Sequence, residues 1–332
     1  MSAEKLLFLS SKDVQKFLSL DECIGAVEQA FRLHGQRKAI PPAVIGVHVP
    51  GGGFHIKAGV LQGGDRTYFA AKVNGNFPSN FAEYGLPTIQ GVIVLCDGAN
   101  GTPLAIMDSR EVTALRTAAA TAVAAKYLAR TDSRVVTICG CGVQGYVQLK
   151  ALSLIHRPEK VFAYDRDEGK ASRFASELIS VLKIPIQSTG DLRSAVRESD
   201  ICATCTPSQH ALLFQHDVKP GAFIAAVGAD NPSKQELDPQ LLAKSKIVCD
   251  VIKQCAEMGD LHHALKTGIV TRDGVHAELG EVVAGIKTGR ESEQEIIVFD
   301  STGMALQDVA AAACLYEKAE QHGAGVQLSL VA

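Results

Sequence analysis

The sequence predicts an α/β protein in two parts. One is a Rossmann-type doubly wound domain; the other is an α+β domain built from the N-terminal region and a C-terminal helix. Three observations carry this expectation. From residue 133 onward, strand-like runs alternate with helical ones, the pattern of right-handed βαβ units in a parallel sheet. The first of those strands runs straight into Gly140-Cys141-Gly142-Val143-Gln144-Gly145, and a helical stretch follows. Before residue 133 the order differs: a helical pattern comes first, then β-rich runs separated by turn residues.

The length of 332 residues suggests about two domains at roughly 150 residues each. Charged residues make up 21% and hydrophobic residues 46%, as in a folded chain rather than a disordered one. The formal charge of −3 argues against a nucleic-acid partner, which normally demands a basic excess. No run approaches the ~18 uncharged apolar residues of a membrane span. The nearest, residues 113–129, is broken by Arg116 and Lys126. The first residues lack the apolar core and cleavage site of a signal peptide, so a cytoplasmic protein with reduced thiols is expected. Nine cysteines, an odd number irregularly spaced, do not read as a disulfide framework. Cys202 and Cys205 have redox or zinc spacing, but they fall in a strand-like run where positions three apart face opposite ways. No metal site is expected.

In chain order, residues 11–34 read as one helix, with Val14, Phe17, Leu18, Ile24, Val27 and Phe31 at near-helical spacing. Strands are expected at 43–49, 54–60, 68–73, 88–96 and 104–107, giving a helix followed by an antiparallel sheet. Asp108 and Glu111 resemble a capping box, ahead of an Ala-rich helix to residue 128. Parallel strands follow at 134–139, 160–164, 185–188, 200–205, 222–227 and 247–250, with a last one at 295–299. Residues 304–321 form a closing helix. The expected domains are 1–115 with 304–332, and 116–303.

The glycine motif reads as a dinucleotide site. Gly140 permits the tight turn, Gly142 lets backbone approach a pyrophosphate, and Gly145 lets the helix pack on the strand. The helix N-terminus, at Val143 and Gln144, offers N–H groups and partial positive charge. Asp165 closes the second strand 20 residues after Gly145, where an acid binds the adenosine ribose. It favours NAD over NADP; Arg166 beside it keeps NADP open, since an Arg there can hold a 2′-phosphate. Thr206 ends another strand at the carboxyl edge of the sheet, and Val227-Gly228-Ala229-Asp230 ends the next.

Together, Ala71-Lys72-Val73-Asn74, Gly85-Leu86-Pro87-Thr88, Gln90-Gly91, Thr113-Ala114-Leu115-Arg116-Thr117, the glycine motif, Val227–Asp230 and Asp300-Ser301-Thr302-Gly303 resemble the ornithine cyclodeaminase/mu-crystallin family. The resemblance covers nearly the whole chain and is not specific for one reaction. It implies a homodimer in which the first domain, with the closing helix, binds substrate and dimerises. It implies substrate-binding roles for Lys72 and Arg116, the latter gripping a carboxylate, and a catalytic role for Asp230, with Lys72 assisting. It places Thr117 near the cofactor phosphates and Ser301, Thr302 and Gly303 near the nicotinamide. A guanidinium grips a carboxylate with two parallel bonds, and an Asp can exchange a proton with a substrate nitrogen. Two readings of Lys57 stand side by side: part of the carboxylate grip, as in some family branches, or a surface strand residue. No Asp or Glu occurs between residues 41 and 62, where cyclodeaminases place an acid for the side-chain amine. The expectation is an NAD(H)-dependent oxidoreductase on the C–N bond of a small 2-amino acid or its imine, an amino-acid dehydrogenase or ketimine reductase. The alternatives are a cyclodeaminase that recycles NAD and releases ammonia, and a non-catalytic crystallin-like NAD(P)H binder.

Overall fold

The computed structural model describes residues 5–330. The chain divides into two compact units, Met1–Arg116 with Met304–Ala332, and Thr117–Gly303.

The first unit holds a seven-stranded sheet. Its strands are β1 (Lys5–Leu9), β2 (Ile40–Val49), β3 (Gly52–Gly63), β4 (Arg66–Asn76), β5 (Ile89–Asp97), β6 (Pro103–Asp108) and β17 (Val326–Ser329), in the order β17-β1-β6-β5-β4-β3-β2. The sheet differs from the wholly antiparallel one expected, because β1 runs parallel to β6. The strand β1 precedes the first helix and pairs on its other side with β17, so the two ends of the chain close one edge. The single helix expected at 11–34 is two, Ser11–Phe17 and Leu20–Gly35. The break has a local cause. Ser19 and Glu22 form a capping box, so Ser19 starts a new helix rather than continuing the old one.

The helix Ala305–Gln321 packs on β3, β4 and the helix Leu20–Gly35. Its alanines bring its backbone close to the sheet. At Gly59 of β3 an added Cβ would lie 3.0 Å from Leu306 Cδ2, so a larger residue there would require that side chain to shift. Lys57 and Lys72 are directly opposed on β3 and β4, and therefore share a face.

The second unit is built on eight parallel strands: β7 (Val135–Cys139), β8 (Lys160–Tyr164), β9 (Ile186–Ser188), β10 (Ile201–Thr204), β12 (Phe223–Ala226), β14 (Lys246–Cys249), β15 (Ala277–Glu278) and β16 (Ile297–Asp300). Their order is β15-β14-β16-β12-β10-β7-β8-β9. The chain leaves β7 toward β8 on one side and later returns to β10 on the other. That reversal is the switch point of a doubly wound sheet, where ligands collect beyond the carboxyl ends of the strands. The inner strands β10, β12 and β16 are buried along their whole length, as in a sheet covered on both faces. Three short strands of this unit escaped the sequence reading: β15 at the edge of the sheet, and β11 (Gln209–Leu213) and β13 (Gln235–Leu237), which form a small parallel pair of their own.

Candidate active site

In the second unit, the loops after β7, β10, β12 and β16 all leave the same edge of the sheet. The first carries the glycine motif. Gly140 has φ +101°, a left-handed value that an L side chain rarely adopts. A Cβ on Gly145 would sit 2.0 Å from the Gly140 carbonyl oxygen, so this packing admits only glycine. A Cβ on Gly142 would meet nothing within 4 Å. Gly142 is also the N-cap of the helix Val143–Ile155, and no side chain caps that end. The first N–H groups of a 13-residue helix thus face open space beside a residue with no side chain, a cradle that fits a pyrophosphate. The Gln144 amide oxygen is buried there with no partner. Asp165 reaches back to this loop: its Oδ2 accepts from Cys141 N at 2.9 Å, and its Oδ1 from Asp167 N at 3.0 Å. Its remaining lone pairs suit ribose hydroxyls. Arg166 beside it is exposed.

Buried carboxylates brace the other three loops. Glu236 Oε1 accepts from Thr206 N and Oγ1 at 2.6 and 2.7 Å, and its Oε2 from Gly228 N at 2.9 Å. Val227 N donates to the Thr204 carbonyl. Asp250 Oδ2 accepts from Ser301 Oγ and Gly303 N at 2.9 and 2.7 Å. The Gln254 amide donates to Thr302 Oγ1 and the Gly303 carbonyl. Asp230 is half-exposed, and its Oδ1 lies 2.6 Å from Lys234 Nζ. Thr117 is partly buried in the helix Ser109–Leu128. Among the described residues, Cys249, Cys255 and Asp300 bring ligand-type atoms together. Both Asp300 oxygens already accept backbone N–H groups, from Asp260 and Leu261.

In the first unit, Lys57, Lys72 and Arg116 are buried, at 9%, 4% and 5% exposure. Lys72 Nζ lies 2.8 Å and Arg116 Nε 2.9 Å from the same oxygen, Oδ1 of Asp308. Arg116 also donates to Gln307 Oε1 at 2.9 Å. The Arg116 Nε contact is an ion pair without hydrogen-bond alignment, so Arg116 Nε, Asp308 Oδ2 and Gln307 Nε2 all keep unused hydrogen-bonding capacity while buried. Burial pushes the Lys72 ammonium down to about 7; Arg116 pushes the same way, and Asp308 opposes them. Burial alone would raise the Asp308 carboxyl, yet Arg116 and Lys72 hold it below its ordinary range. Lys72 and Arg116 share one carboxylate oxygen, a set with more positive than negative charge whenever Lys72 is protonated, and charge of that kind is costly to remove from water. An anion entering the cluster would offset that cost. His55, two residues before Lys57 on β3, stands edge-on to His48, with ring centroids 6.5 Å apart.

Sequence reasoning did not find Asp308, Gln307 or Glu236. A signal for the first two exists. Gln307-Asp308 is a polar pair inside the otherwise apolar run 304–313, where a surface helix would place polar residues at regular intervals.

A doubly wound parallel sheet with a bare, glycine-edged helix N-terminus at its switch point defines a Rossmann-type nucleotide-binding protein. Comparison with known proteins narrows this class. The chain belongs to the ornithine cyclodeaminase/mu-crystallin family, whose model matches residues 4–323. It is 39% identical to the alanine dehydrogenase of Archaeoglobus fulgidus over 326 residues, covering 97% of this chain and 98% of the relative. It superposes on an archaeal alanine dehydrogenase dimer with bound NAD at a TM-score of 0.94, with 39% identity and 98% and 99% of the two chains covered. It also superposes on the Thermococcus litoralis Δ1-pyrroline-2-carboxylate reductase in complex with NADH and L-proline. There the TM-score is 0.92, with 35% identity and 97% and 100% coverage.

Proposed function

We propose that the protein is an NAD(H)-dependent oxidoreductase acting on the C–N bond of a small 2-amino acid or its imine. The observation that carries this reading is the buried Lys57–Lys72–Arg116 cluster against Asp308, a receptor for a carboxylate. The NAD- and NADH-bound relatives and the glycine cradle supply the rest. Bound NAD(H) would supply the hydride acceptor or donor. The residues of this chain bind and orient. Gly140, Gly142, Val143, Gln144 and Gly145 hold the pyrophosphate and Asp165 the ribose, while Thr117, Thr206, Val227, Gly228 and Ser301–Gly303 shape the rest of the cofactor site. Asp165 sets the preference for NAD, because its charge would repel a 2′-phosphate. Lys57, Lys72 and Arg116 fix the substrate carboxylate. Asp230 takes the proton from the substrate nitrogen in oxidation and returns it in reduction. The lack of an acid between residues 41 and 62 favours a substrate without a side-chain amine.

The deciding experiment incubates the purified protein with NAD and a panel of amino acids and follows NADH and ammonia together. NADH rising with ammonia is the expected result. Ammonia without net NADH would replace the proposal with a cyclodeaminase. NADH binding without turnover across amino acids and imines would leave a crystallin-like binder. Asp230→Asn is expected to lower kcat by about 10²–10⁴-fold, the usual range for a general acid–base group. NADH affinity, measured by fluorescence titration, should be retained; an equal loss of both would remove Asp230 from the proton-transfer role.

Burial lowers the Lys72 ammonium to about 7, and a carboxylate binds its charged form. Below that pH Lys72 is already protonated. Above it, binding must take up a proton, so substrate affinity should weaken as pH rises through about 7. A pH profile of kcat/KM reads this, and Lys72→Arg, which keeps its charge, should flatten that limb. The same limb in Lys72→Arg would assign the titration elsewhere.

The protein is further proposed to work as a cytoplasmic homodimer. No helix among the described residues is long and apolar enough to cross a membrane. Ile45, Val47 and Phe54 on β2 and β3, with Phe81 and Tyr84 in the helix Asn80–Tyr84, are exposed, an apolar burden of the kind that marks association surfaces. Light scattering that gives the mass of a single chain would exclude the dimer.

A further inference from the structure

The loop that carries Asp230 is closed by a side chain. It leaves β12 at Val227 and returns to the small sheet at β13, whose middle residue is Glu236. Glu236 is wholly buried, and its Oε2 accepts from Gly228 N, eight residues back along the chain. Residues 228–236 therefore form a ring closed by one carboxylate, with Asp230 inside it. Close approach is built into the ring: a Cβ on Gly228 would lie 2.5 Å from Glu236 Oε2 and 2.5 Å from the Thr206 carbonyl oxygen. The other oxygen of Glu236 accepts twice from Thr206, through N and Oγ1, so the ring is also tied to the loop after β10.

Glu236 is itself held in place. Its own N–H and that of Leu237 both donate to Asp260 Oδ1 at 2.8 Å. The N–H groups of Asp260 and Leu261 donate to the two oxygens of Asp300, the last residue of β16. Three buried carboxyl groups thus lead from the end of β16 to the Asp230 loop; both oxygens of Asp300 and of Glu236 accept from backbone N–H groups, while Asp260 accepts through Oδ1 alone. A carboxylate only accepts, and burying one is tolerable when fixed N–H groups surround it. Here those N–H groups belong to the segments that carry Thr206, Gly228 and Asp230, and to the chain that supports them.

We infer that Glu236 is a positioning residue: its carboxylate sets the Asp230 loop and the Thr206 loop in register before cofactor binds. The inference rests on the cofactor and Asp230 roles proposed above.

The test uses the full-length protein with Glu236→Gln. The carboxamide matches the carboxylate in size but has one oxygen. Either way round, its NH2 group faces the N–H of Gly228 or the N–H of Thr206, and one of the two ties is lost. Hydrogen bonds to charged groups are worth about 1.5–3 kcal/mol, roughly 10–100-fold in an equilibrium or rate. Glu236→Gln is therefore expected to raise the NADH dissociation constant and lower kcat by about 10-fold or more each. KM for the amino acid should change less, because the carboxylate grip is made by other residues. Folded Glu236→Gln with NADH affinity and kcat within about twofold of wild type would reduce Glu236 to a fold-stabilising residue and overturn the inference.

Amide hydrogen exchange on the unliganded wild-type protein gives a second reading that needs no variant to fold. The amides of Thr206 and Gly228 should be protected without cofactor; rapid exchange at both would overturn the inference. Wild-type protein that binds no NADH would instead overturn the cofactor reading, and the exchange result would then decide alone whether Glu236 orders the two loops.

Discussion

Asp308→Ala is expected to destabilise the protein by about 3–5 kcal/mol, the range for stranding a buried charge by removing its partner. The two cations bound to Asp308 respond differently. Lys72, already lowered to about 7, escapes by losing its proton. Arg116 has no such escape, since a guanidinium stays charged throughout the working pH range, and only 5% of it is exposed. Most of the cost therefore falls on Arg116. Asp308→Asn should cost less, because an amide oxygen still accepts from Lys72. The pH dependence follows from the direction of the Asp308 shift. Its carboxyl is held below its ordinary value, so the stability it contributes is fully present above about pH 4 and is lost as pH falls through the lower folded-state value. Thermal melts of both variants across the acid range read both effects. An Asp308→Ala melting temperature equal to that of wild type would mean that water reaches the cluster and screens it.

Arg116→Lys is the second large effect. It is expected to raise KM for the amino acid about 10²-fold while NADH binding stays near wild type. Arg116 places Nε against Asp308 and another nitrogen against Gln307, and its planar fork leaves donors in fixed directions for a carboxylate. An ammonium keeps the charge but cannot make contacts in those separate directions at once. Truncating one partner of a buried charged pair costs about 2–5 kcal/mol, and 100-fold lies within that range. An unchanged KM in Arg116→Lys would move the carboxylate site away from this cluster.

The two halves of the fold were not equally legible. The parallel domain could be read because its signals are local: apolar strands, a glycine turn at the end of the first, and an acid at the end of the second. Those features sit within about one βαβ unit, and each has one physical reading. The first unit depends on partners far apart in sequence. The parallel pairing of β1 with β6 and the closing strand β17 leave no local trace, because a four-residue apolar run beside a helix, Leu6–Leu9, has no fixed neighbour.

The site divides the same way. Gly140, Gly145 and Asp165 stand where the motif placed them. Lys72 and Arg116 were reached only through family resemblance, since a strand Lys and a helix Arg normally face water. The structure shows both buried, and it buries Lys57 with them, so Lys57 is not a surface strand residue. Asp308 and Glu236 carry no motif, and their importance lies entirely in what they touch across the fold.

The arrangement of the first unit also sets a timetable for synthesis. Lys72 and Arg116 are translated by residue 116, but the carboxylate that pairs with both is residue 308. At roughly 5–20 residues per second, the ribosome takes about 10–40 s to cover that interval. Throughout it, the growing chain holds the sheet without the helix that covers it and the charges without their counterion. The second unit, an unbroken stretch from Thr117 to Gly303, is complete before that helix emerges. The first unit is begun first and completed last, and its nascent form depends on whatever shields a bare apolar sheet in the meantime.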